Sequence, residues 1–186
     1  MLPHHEGKKL YRDDMLKLLR DLDAKLEGMQ RKVRLYGVGG TVMVLSNIRD
    51  ASKDVDFIVS FNDFRALSGH IAELERLQQV RIDLFPDGDM PDYKLGEYPL
   101  HAQKAPFDFK NLELYYLDKI DFVLTKALAG RFDDVEDVLH FVSSRKEVPL
   151  DILTQRYHKI VPNPGKEAEL KSKFDKFVNE VYSRLK

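Results

Sequence analysis

The chain has 186 residues and a mass of 21.6 kDa, is 43% hydrophobic and 33% charged, and carries a formal net charge of −1. With 8 Tyr and 11 Phe set in periodic apolar runs, it is not a disordered chain. Zero cysteines exclude a disulfide scaffold, a thiolate metal site and a cysteine nucleophile. No apolar run approaches the ~18 residues of a membrane span. These features predict a cytoplasmic protein with no membrane partner. The charge is unevenly spread: residues 1–53 carry 11 basic and 7 acidic side chains, 54–140 carry 9 and 18, and 141–186 carry 10 and 6. An acidic middle between basic ends suits a carboxylate site flanked by surfaces for a polyanion.

In chain order, Tyr11, Met15, Leu18, Leu22, Leu26 and Met29 recur at spacings of three and four and predict an amphipathic helix over 9–30. Residues 33–36 read as a short strand running into Gly37-Val38-Gly39-Gly40, and Thr41 opens a short apolar helix to Asn47. Alternation predicts a strand over 54–59. Phe64, Leu67, Ile71, Leu74 and Leu77 predict a helix over 62–79, and 80–85 alternates again before the turn Pro86-Asp87-Gly88-Asp89. Residues 86–110 read as a long loop with a hairpin, and 112–116 as a last strand. Helices follow over 117–130, stopped by Gly130, then 133–144, 149–160 and 166–185. Pro162-Asn163-Pro164-Gly165 reads as a linker that gives the last helix some independence. The expected fold is α+β: an α/β head over 1–116 with a short mixed sheet, and a C-terminal helical segment over 117–186 packed on it.

Three features fall together. Gly39-Gly40-Thr41 follows a strand and opens a helix, where free backbone N–H groups favour phosphate. Asp54 and Asp56 leave the same face of their strand, while Val55, Phe57 and Val59 point to the core. Asp83 lies within the next strand among apolar neighbours and converges on the pair if the two strands adjoin; Asp87 and Asp89 are the alternatives. Clustered carboxylates repel and call for a hard cation such as Mg²⁺, which also accepts phosphate oxygens. Arg49 and Lys53 flank the pair and read as phosphate contacts. His4, His5, His70, His101, His140 and His158 show no spacing suited to a metal. Tyr115-Tyr116 read as core rather than as a base-stacking pair. The basic last helix (Lys166, Lys171, Lys173, Lys176, Arg184, Lys186) reads as a solvated face, with RNA phosphate as its second reading.

The run from Leu35 to Thr41, followed by the run from Ile48 to Phe57, resembles the signature of the polymerase-beta-type nucleotidyltransferase superfamily. The stretch from Asp121 to Arg131, followed by Asp133, Asp134 and Asp137, resembles the helical motif of AbiEii-type and related prokaryotic nucleotidyltransferases, several of them toxins of toxin–antitoxin pairs. The resemblance spans about residues 35–138. It implies a nucleotidyltransferase fold that moves a nucleoside monophosphate from an NTP to an acceptor hydroxyl with two Mg²⁺ ions, Mn²⁺ substituting. By the same resemblance, Gly39, Gly40 and Thr41 hold the phosphates and Asp54, Asp56 and Asp83 are the catalytic, metal-binding acids. Lys126 faces the triphosphate with Arg131 nearby. Asp133 departs from the family's basic residue at that place. The implied acceptor is RNA, tRNA 3′ ends above all, or a protein, and the implied partner is an antitoxin. The rival expectations are a non-catalytic nucleotide- or partner-binding module that keeps the fold, and a metal-dependent phosphohydrolase.

Overall fold

The computed structural model describes residues 8–145 and 148–184. His4, His5 and Lys186, considered above, lie outside the described residues. The chain divides into two compact units: Met1–Pro86 with Lys104–Tyr116, and Asp87–Gln103 with Leu117–Lys186.

The first unit begins with β1 (Leu10–Tyr11) and α1 (Arg12–Lys25). Asp14 starts this helix by accepting from the Tyr11 backbone N–H at 3.1 Å. Met15, Leu18, Leu19 and Leu22 form its buried stripe. The helix is shorter than its apolar spacing predicts, ending at a C-cap on Leu26, while within it the Asp23 carboxylate accepts from the backbone N–H groups of Asn111 and Leu112 at 2.6 and 2.9 Å. Next come β2 (Val33–Gly37), α2 (Gly39–Leu45), β3 (Ala51–Ser52) and β4 (Asp54–Val59). Helix α3 (Phe61–Gln78) is capped by Ser60, whose hydroxyl accepts from the Asp63 N–H, and ends at Gln79 in the left-handed region. Strand β5 (Arg81–Pro86) completes this stretch.

The remaining elements are β6 (Tyr93–Lys94), α4 (Tyr98–His101), β7 (Gln103–Lys104), β8 (Leu112–Tyr116), α5 (Lys119–Ala129), α6 (Phe132–Arg145), α7 (Leu150–Tyr157), β9 (Val161–Pro162) and α8 (Glu167–Arg184). The main sheet has the order β5-β4-β2-β8-β7, with β2 antiparallel to β4 and parallel to β8, and β4 parallel to β5. This is the expected α+β class, with a mixed sheet and helices. One face of the sheet presents Val33, Leu35, Val55, Phe57, Val59, Ile82, Leu112 and Leu114 to the apolar stripes of α1 and α3. Because side chains alternate along a strand, the other face carries Asp54, Asp56, Arg81 and Asp83.

In the second unit, α5 is buried along nearly its whole length and packs with α6, α7 and α8. Within 86–110 the chain folds back on itself in a short antiparallel turn, Asp89 opposite Lys94, with the Met90 N–H donating to the Tyr93 carbonyl at 2.8 Å. Beyond that pairing, β6 pairs with the distant β9, Tyr93 opposite Pro162. The expected linker is therefore tied down: Asn163 donates its N–H to the Asp92 carbonyl, and the Asp92 carboxylate pairs with Lys166 and Lys173 at 3.1 and 3.2 Å. Helix α8 buries Leu170, Phe174, Phe177 and Val181, and Phe174 stacks on Tyr157 at 4.1 Å. No described helix is long and apolar enough to cross a membrane.

Asp118 caps α5 by accepting from the Asp121 N–H at 2.8 Å, and Arg156 of α7 bridges both acids, at 2.7 Å to Asp121 and 3.2 Å to Asp118. Asp121 is 1% exposed, and its Oδ2 has no hydrogen-bond partner among the described residues. Burial, and then the charge of Asp118, push its carboxyl up from 3.8 to about 6, against the pull of Arg156. A raised native pKa stabilises the fold fully below pH ~4, and that contribution is lost as pH rises through about 6. The stability difference between wild type and Asp121→Asn, taken from urea titrations at several pH values, is therefore expected to move by roughly 2 kcal/mol in favour of the variant between pH 4 and 7. A pH-independent difference would contradict the assignment.

Candidate active site

The site is built where β2 passes into α2 and β4 runs back beside it. The Val38 N–H donates to the Asp56 carbonyl at 3.1 Å, and the Asp56 N–H donates to Thr41 Oγ1 at 2.8 Å. Thr41 is fully buried, so its hydroxyl is spent on fixing the glycine turn to the Asp-x-Asp strand. Gly39 has φ +54, and a Cβ there would stand 3.5 Å from Asp56 Oδ2. The turn and the carboxylate thus face each other at ordinary contact distance, and it is the left-handed backbone of Gly39 that favours glycine there.

Gly40 is tighter. A Cβ would lie 2.5 Å from Ser52 Oγ and 3.2 Å from Ser52 Cβ, and that same hydroxyl bonds Asp54 Oδ1 at 3.2 Å. Gly40→Ala is therefore expected to cost about 1–3 kcal/mol, from the overpacking of this buried contact. It is also expected to swing Ser52 off Asp54. Thermal melts check the first effect, and loss of triphosphate affinity at near-native fold checks the second.

Strands β4 and β5 adjoin in parallel register, Asp54 beside Arg81 and Asp56 beside Asp83. Asp83 is thus brought to the same strip of sheet as Asp54 and Asp56. The alternatives Asp87 and Asp89 belong to the turn that opens the second unit. Sequence reading missed Arg81, whose Nε and Nη2 meet Asp83 Oδ1 and Oδ2 at 3.2 and 2.9 Å. The same-face rule for residues two apart on a strand would have found it. Asp83 above all, and Asp54 and Asp56 after it, hold this guanidinium more basic than usual. Arg49 and Lys53 lie exposed on the loop between α2 and β4.

The donor set fits a divalent cation in part. Asp54 and Asp56 are hard oxygen ligands on one face, suited to an ion completed by phosphate oxygens and water. Among the described residues, however, no three His, Cys, Asp or Glu side chains are grouped so as to hold one ion together, and Arg81 engages both oxygens of Asp83. The described histidines contribute to no such group. Tyr115 stacks on Tyr36 with centroids 5.1 Å apart and Tyr116 packs against the core, which accounts for that pair.

In the second unit, Lys126 is 4% exposed, and its ammonium bonds Asp134 at 2.9 Å and Asp137 at 2.6 Å. Asp134, itself 2% exposed, also accepts from the Arg131 N–H at 3.0 Å and from its Nε at 3.2 Å. The helical motif is thus a buried ion cluster joining α5 to α6, with Arg131 extending from it into solvent. Asp133 is exposed in the first turn of α6.

No curated protein and no solved structure matches the chain. Residues 13–182 match the family described as "Nucleotidyltransferase of unknown function (DUF6036)". With that match covering most of its length, the chain belongs to this family of nucleotidyltransferases.

Proposed function

We propose that the protein transfers a nucleoside monophosphate from an NTP to an acceptor hydroxyl with the help of Mg²⁺, for which Mn²⁺ substitutes. The observation that carries this reading is the coupling of the glycine turn to Asp56 through Thr41, with Gly39 facing its carboxylate. A phosphate-binding turn and a metal-binding acid are fixed in one rigid corner. Asp54 and Asp56 would hold the ion, which when bound supplies positive charge against the triphosphate and the developing charge at the α-phosphorus. The N–H groups of Gly39 and Gly40 at the start of α2 would cradle the phosphates, and Arg49 and Lys53 would bring positive charge from the adjacent loop. Ser52 orients Asp54 through its hydroxyl. Asp83 is the third acid, beside Asp56.

Of the two cations in the helical motif, exposed Arg131 is the better phosphate contact. Lys126, with its ammonium committed to two acids, serves to hold α5 on α6. The similarity to AbiEii-type toxins, together with the basic ends of the sequence, favours RNA 3′ ends as acceptors and an antitoxin as partner. The test is incubation with each α-labelled NTP, Mg²⁺ and a mixture of tRNA, total RNA and cell lysate. Label on RNA supports the reading as stated, and label on protein keeps the chemistry but changes the acceptor. Nucleotide binding with no label on any acceptor would favour the second reading, a nucleotide-binding module, for which the engagement of Asp83 by Arg81 speaks.

A further inference from the structure

Three carboxylates on one strip of sheet give Asp54, Asp56 and Asp83 a formal charge of −3, and two divalent cations are what the resemblance implies for them. The structure places a cation of its own there. Arg81 stands beside Asp54 in the register of β4 with β5 and reaches Asp83 with two of its nitrogens, one for each carboxylate oxygen. A guanidinium does not deprotonate in proteins, and its planar fork matches a carboxylate bidentately. The side chain is 71% exposed, so an isolated pair of this kind would be weak. Here Asp54 and Asp56 add to the attraction from the neighbouring strand, so the charge of the whole strip retains the arginine. With Arg81 counted, the strip carries a formal −2, which one divalent cation neutralises.

We propose that this site takes a single divalent cation, on Asp54 and Asp56, and that the Arg81 guanidinium stands in for the second ion over Asp83. The inference rests on the nucleotidyltransferase reading and narrows it. Arg81 positions and neutralises Asp83, and a second ion binds only where Arg81 is removed. An incoming Mg²⁺, which sheds water reluctantly, would otherwise have to displace a charge-assisted bidentate pair to reach the same oxygens.

The full chain should be titrated with Mn²⁺ alone and bound ions counted from the loss of the free-ion electron paramagnetic resonance signal. Wild type is expected to saturate at one ion and Arg81→Gln at two, the second bound about tenfold or more tighter than any second uptake by wild type. Arg81→Lys, which keeps the charge, is expected to stay at one. Melting curves confirm that the variants fold, as the exposed side chain leads us to expect. Two ions on wild type, or one ion on Arg81→Gln with unchanged affinity, would overturn the inference while leaving the cation-dependent reading intact. No Mn²⁺ uptake by either protein would overturn both. Loss of the first ion in Asp54→Asn locates it on β4, and its retention there would remove the assignment to Asp54.

Discussion

Asp56→Asn is expected to lower label transfer by about a thousandfold or more, with the melting temperature nearly unchanged. The structure separates the two roles of this residue. Its backbone N–H and carbonyl tie β4 to Thr41 and Val38, and the substitution leaves both in place. Its carboxylate faces Gly39 on a strip shared with Asp54 and Asp83, where losing one negative charge relieves repulsion. The chemistry is thus removed without disturbing the fold. Asp54→Asn should behave alike, because the Ser52 hydroxyl can donate to the new amide's oxygen or accept from its nitrogen. Transfer that survives at wild-type rate in both variants would remove the acids from the reaction.

The second large effect is on stability. Lys126→Met is expected to cost about 3–5 kcal/mol, because it leaves Asp134 and Asp137 facing each other in a buried place without their shared cation. Against a typical domain stability of roughly 5–15 kcal/mol, this is a large share of the total. Arg131 offsets part of the loss at Asp134, but its side chain is largely exposed and its pairing correspondingly weak. Urea titration at pH 7 measures the effect. Unchanged stability with weakened NTP binding would instead return Lys126 to the triphosphate, the role its sequence motif suggests.

The legible parts of this chain are those whose signal is local. The alternation at 54–59 and 80–85 marks β4 and β5, and the i, i+2 spacing alone puts Asp54 and Asp56 on one face. Gly39-Gly40-Thr41 was readable as a turn from strand into helix, but its coupling to Asp56 was not, because a hydrogen bond between residues 15 apart has no periodicity. The two-residue strands β1, β3, β6, β7 and β9 are too short to show alternation. Pro162 reads as a breaker and yet pairs with Tyr93, a register set by packing across the chain. Similarly, Lys126 and the acids of α6 were visible as a motif, while the direction of the lysine depends on how two helices lie together. Motif spacing indicates which residues belong together; burial decides whether they meet a ligand or one another.

The order of the main sheet bears on how the chain is made. β8 lies beside β2 near the middle of the sheet, yet it is synthesised only after the chain has left the first unit at Asp87 and come back at Lys104. A nascent chain that stops after β5 has both acid-bearing strands but presents β2 as an open edge, a template for pairing with another chain. The acids of the site can thus be translated before the sheet that supports them closes. Cutting the gene after residue 86 would yield an edge-exposed fragment rather than a small enzyme.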